Sequence, residues 1–72
     1  MNAAQIRAKF IMDNLNRAGN QADLGVAIRI VREFRRYFTW CADSLTAEDR
    51  LSIAEQLRRL ECELNKDTEG QP

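Results

Sequence analysis

The chain has 72 residues, two cysteines, three isolated glycines, no histidine, and eleven basic against eleven acidic side chains. That leaves room for one small domain, which buries only about 60% of its unfolded surface. It excludes histidine-activated Ser or Cys nucleophiles and makes a zinc site improbable, and no glycine-rich phosphate loop is present.

The charge is unevenly placed. Residues 1–36 carry seven Lys/Arg and three Asp/Glu, and residues 37–72 carry four and eight. Two readings are open: a basic helix packing beside an acidic one, or a basic surface meant for nucleic acid. No apolar run reaches the roughly 18 residues of a membrane span, and Arg7 and Lys9 interrupt the N-terminal segment. A soluble, cytoplasmic protein without a membrane partner is therefore expected.

The first predicted helix covers residues 3–17. Asn2 can cap it, with Gln5 three residues on. Ala4, Ala8, Ile11, Leu15 and Ala18 form its inward stripe, widened by Phe10 and Met12. Ile6 falls off that stripe beside Lys9 and Asp13 and reads as an ordinary surface residue. Gly19 suits the left-handed position after a helix end, and Asn20 can cap the next helix.

The second helix, residues 21–43, organises the chain. Leu24, Ala27, Val31, Phe34, Phe38, Cys41 and Leu45 alternate steps of three and four, which sets them on one side. Ile28, Ile30, Tyr37 and Ala42 flank the seam and make the apolar surface too wide for one neighbour. The other side carries Val26, Arg29, Arg32, Glu33, Arg36, Thr39, Trp40 and Asp43, with Arg36 and Trp40 adjacent on the surface. The third helix, residues 47–65, starts at a Thr46 cap with Glu48 and Asp49 in its first turn. Ile53, Leu57, Leu60 and Leu64 form its seam, extended by Leu51 and Ala54. Glu55, Arg59 and Glu63 are spaced for ion pairs along its outer face. Residues 67–72 contain no apolar side chain and are expected to be a disordered tail. Cys41 reads as core and Cys62 as a partly exposed thiol, lying too far apart for an internal disulfide.

The fold expected is an all-α, three-helix bundle over residues 1–66 with a long central helix, completed by homodimerisation. Leu24, Val31, Phe34, Phe38, Ile53, Leu57, Leu60 and Leu64 are its dimer and core positions. Neighbouring carboxylates such as Glu48/Asp49 do not face each other on a helix, so no catalytic pair is expected, nor any cofactor or metal. Arg29, Arg32, Arg36, Tyr37 and Trp40 are the residue types that dominate binding hot spots. The alternative for Trp40 is packing beneath the first helix or the turn.

In size and helical class the chain is similar to small phage and plasmid regulators that bind host proteins, though no motif carries the likeness. The leading expectation is a non-enzymatic regulator or inhibitor that occupies a surface of a host or regulatory protein. The second is a dimeric nucleic-acid-binding regulator using Arg29, Arg32, Arg35 and Arg36.

Overall fold

A computed structural model of the chain describes residues 2–69, with the side chains of 67–69 left aside. It contains three α-helices, α1 (Ala3–Gly19), α2 (Leu24–Cys41) and α3 (Ala47–Glu69), and one 3-10 turn at Ala42–Ser44. There is no strand among the described residues, so the protein is all-α. The envelope measures 46 × 18 × 16 Å, and each helix packs on the other two. The end of α1 lies beside Leu24 and Ala27 and its start beside Tyr37, while Ile28 and Arg32 near the start of α2 lie beside Glu61 and Leu64 late in α3, so α2 runs antiparallel to both neighbours.

The start of α1 follows its sequence. The Asn2 side chain accepts from the Gln5 N–H at 2.9 Å, and the Asn2 N–H donates to Gln5 Oε1 at 3.0 Å. Two of the backbone donors that a helix start leaves open are thereby satisfied. Its other end differs from expectation. Gly19 is the last helical residue, and no described glycine has a positive φ. A Cβ at Gly19 would lie 3.3 Å from Leu60 Cδ2, so the missing side chain serves close packing of α1 on α3. Asn20 ends α1 instead of starting α2, its N–H donating to the Arg17 carbonyl at 3.1 Å.

Asp23 caps α2, its Oδ1 accepting from the Val26 N–H at 3.2 Å. An aspartate there satisfies an open donor and meets the positive end of the helix dipole. The helix therefore begins three residues later than expected. It gives way at Ala42 to the 3-10 turn, where the Ser44 hydroxyl donates to the Cys41 carbonyl at 2.7 Å. Thr46 caps α3 as its sequence suggests, accepting from the Asp49 N–H at 3.1 Å. The helical backbone runs four residues beyond Asn65, to Glu69, and residues 70–72 of the expected tail lie outside the described residues.

The core is apolar throughout, and no polar or charged residue is buried among the described residues. Ile11 and Leu15 of α1 and Ile53 and Leu57 of α3 are shut off from water almost entirely. Against them α2 lays Ile30, Val31, Phe38 and Cys41, and Leu45 and Leu60 close the two ends. The seam of α2 is covered by α1 and α3 of the same chain. Ala27, Val31, Phe38, Cys41 and Leu45 are buried, and Leu24, Phe34 and Leu64 are half-buried. Leu51 departs from its expected place and is 63% exposed. It lies about 200° around the helix from Ile53, so it cannot share that seam.

The ion pairs expected along α3 do not form. Among the described residues the pairs are Lys9 with Asp13 within α1, and Arg35 of α2 with Glu61 of α3. Cys41 is buried and Cys62 exposed, and both thiols are free.

Phe38→Ala should cost about 3–5 kcal/mol, close to the whole stability of a domain this small. Phe34→Ala should cost clearly less, because Phe34 keeps part of its ring in water. Urea denaturation followed by circular dichroism reads both, and equal losses would contradict the packing described.

Candidate functional site

The surface that the core leaves over is concentrated where α1 and α2 meet solvent together. On α2, residues three and four apart form a ridge comprising Val26, Arg29, Glu33, Arg36, Tyr37 and Trp40. Trp40 is 78% exposed and does not pack beneath α1 or the turn. Its ring centroid lies 6.1 Å from that of Tyr37. Tyr37 lies 5.9 Å from Phe10 of α1, edge to face, and Phe10 lies 5.4 Å from Phe34. Four aromatic rings thus run in series across the α1–α2 boundary, from the half-buried Phe34 outward to Trp40. Distances and tilts of this kind suit aromatic rings and hold Tyr37 in a defined place.

Two α1 residues join this surface against expectation. Phe10, expected to face inward, is 48% exposed and completes the aromatic series. Ile6, expected to stand alone, lies one turn before Phe10 and borders a shallow cleft of about 290 Å³ with Ala3, Arg7, Phe10 and Tyr37. Both follow from the rotation of α1 about its axis, which turns Ile11 and Leu15 inward and leaves Ile6 and Phe10 beside α2. Two large apolar residues four apart and off the inward stripe were the available signal in the sequence. A larger cavity, about 380 Å³, lies at the α1–α2 connection around Ala22, Leu24 and Leu64, away from the aromatic series.

The arginines divide into two groups. Arg29, Arg32 and Arg36 are exposed and form no ion pair among the described residues. Arg35 is committed elsewhere. Its Nε donates to Glu61 Oε2 at 2.8 Å, and its Nη2 pairs with Oε1 of the same carboxylate. The hydrogen bond to Glu61 raises the guanidinium above its ordinary pKa, so Arg35 stays charged and tied to α3. Arg7 donates to the Ser44 Oγ at 2.7 Å and links the start of α1 to the turn after α2. Of the expected partner-binding residues, Tyr37 and Trp40 are joined by ring contact, and Arg29 and Arg36 share their ridge. Arg32 sits toward α3, beside Ile28, Glu61 and Leu64.

No group of His, Cys, Asp and Glu among the described residues is placed to hold a metal ion. No described helix is long and apolar enough to cross a membrane. Comparison of the chain with protein-family models, with curated proteins and with solved structures finds no match.

Trp40 should emit at the long wavelengths of a water-exposed indole and be readily quenched by acrylamide. Trp40→Ala should change stability by no more than about 0.5 kcal/mol, as surface substitutions do. A loss of about 2 kcal/mol or more in urea denaturation would place the ring in the core instead.

Proposed function

We propose that the protein is a small non-enzymatic regulator that binds a partner protein through the α1–α2 face and modulates it by occupying one of its surfaces. The observation that carries this reading is the exposure of Trp40 at the end of an ordered aromatic series, beside unpaired arginines. An exposed tryptophan leaves a large apolar area in water, and contiguous exposed apolar patches mark interaction sites. Trp, Tyr and Arg together are the side chains whose burial contributes most at interfaces. Tyr37 and Phe10, already packed, would lose little conformational freedom on docking.

A second reading is kept because Arg29, Arg32 and Arg36 stand exposed along one helix. Such a row can neutralise phosphates, and the protein would then be a nucleic-acid-binding regulator. Glu33 within the ridge and the commitment of Arg35 to Glu61 weigh against it.

A homodimer belongs to the same proposal. Leu51, beside Ala47 and Ala54 on α3, supplies exposed apolar surface for a second copy outside the α1–α2 face. Sedimentation across a wide concentration range should show association, and a single 8.3 kDa species throughout would contradict it.

The test of function is capture from the lysate of the host cell, with and without nuclease. Wild type is compared with Trp40→Ala and with the triple variant Arg29→Ala/Arg32→Ala/Arg36→Ala. A nuclease-resistant protein partner, lost with Trp40→Ala, is the expected result. Capture of nucleic acid alone, lost in the triple variant and steeply weakened by salt, would overturn it in favour of the second reading.

A further inference from the structure

The charge on the α1–α2 face is unbalanced in a way that describes its occupant. Arg29 and Arg36 stand exposed on the outer side of α2, Arg32 stands exposed on its flank toward α3 beside Glu61, and none of the three forms an ion pair among the described residues. The neighbouring cations are already engaged: Lys9 by Asp13, Arg35 by Glu61 and Arg7 by Ser44. Glu33 is the one carboxylate within the ridge, and Asp43 follows beyond Trp40. Apolar side chains stand at both ends, Val26 at one and Trp40 with Tyr37 at the other. From Val26 to Trp40 the ridge rises about 21 Å at 1.5 Å per residue, the length of a four-turn helix.

A helix laid along this ridge would present apolar side chains to Trp40, Tyr37 and Ile6 along one edge. Its flank would meet Arg29, Arg32 and Arg36, whose planar forks suit carboxylates. A second copy of this chain matches the same place less well. Two-fold pairing would set the ridge against itself, where Glu33 is the one ridge carboxylate each copy offers to three arginines, and most of them would stay without a partner. Setting α2 of one copy on the more acidic α3 of another closes as a two-fold pair when each copy gives both helices, and Glu-peptide binding that weakens as protein concentration rises would mark that occupant and overturn the inference.

We infer that the occupant is an acidic amphipathic helix of the partner protein, held by apolar anchors at Trp40 and Tyr37 and by carboxylates at Arg29, Arg32 and Arg36. This inference rests on the partner-binding reading above and narrows it to one chemistry.

Trp40 is the single tryptophan in the chain, so its emission reports on this face directly. The probe is a synthetic four-turn peptide of Leu, Ala and Glu without aromatic residues, its leucines at helical spacing. A counterpart carries Lys for every Glu, and a polythymidine oligonucleotide and vesicles of phosphatidylglycerol complete the set. The Glu peptide should move Trp40 emission to shorter wavelength in a saturable way. It should bind at least about tenfold more tightly than the Lys peptide, the effect of one well-placed charge pair. In Arg29→Glu/Arg36→Glu, whose positions are exposed and outside the core, the preference between the peptides should reverse. Equal binding of both peptides would overturn the acidic-helix inference and leave the partner-binding reading standing. A shift with the oligonucleotide or the vesicles but with neither peptide would overturn both. No shift with any probe would also overturn the inference, while capture of a protein partner in the lysate experiment tests the broader reading separately.

Discussion

Four aliphatic side chains hold this molecule in register. Ile11 and Leu15 of α1 and Ile53 and Leu57 of α3 are almost completely removed from water, and all four belong to one continuous core. Their burial fixes how α1 and α3 stand beside each other, and the space this leaves is filled by Val31, Phe38 and Cys41 of α2. In a chain of 72 residues little else could do so. The polar links between helices, Arg35 to Glu61, Arg7 to Ser44 and Gln56 to Asn16, all lie at the surface. The first is an exposed ion pair, worth about 0–1 kcal/mol, and the other two are exposed hydrogen bonds, so all three orient the helices more than they stabilise them.

The same constraint determines what stays outside. Once Ile11 and Leu15 point inward, the spacing of α1 directs Ile6 and Phe10 along the boundary with α2. Once Val31 and Phe38 point inward, the ridge from Val26 to Trp40 faces water. The exposed face is thus a geometric consequence of core packing, and its outermost side chains can be replaced without opening the core. Trp40 and Arg36 are the clearest cases, since both are exposed and neither belongs to the buried cluster.

Much of this was legible from periodicity and capping chemistry. The α2 seam, the Asn2–Gln5 box, the Thr46 cap and the outward position of Arg29, Arg36 and Trp40 all follow from local rules. Competition between equally good local signals was harder to read. Asn20 and Asp23 can each cap α2, and the carboxylate takes the place, which leaves Asn20 to close α1. Gly19 has the composition of a left-handed helix end but stays helical, and its missing side chain instead leaves room for Leu60. The α1 half of the candidate face was not legible, since the rotation of one helix against another depends on contacts far apart in the chain. The Arg35–Glu61 pair spans 26 residues and belongs to the same class.

α2 thus presents two surfaces: its seam completes the fold, and its opposite ridge is the surface proposed for a partner. The most direct measurement is site-specific photo-cross-linking in the cells that make the protein. The photoreactive residue is placed at position 36 on the ridge or, in a second variant, at position 58 on the outer side of α3. The account predicts a discrete protein adduct from position 36 and none of that mass from position 58. Adducts from position 58 alone, or the same adducts from both positions, would contradict it.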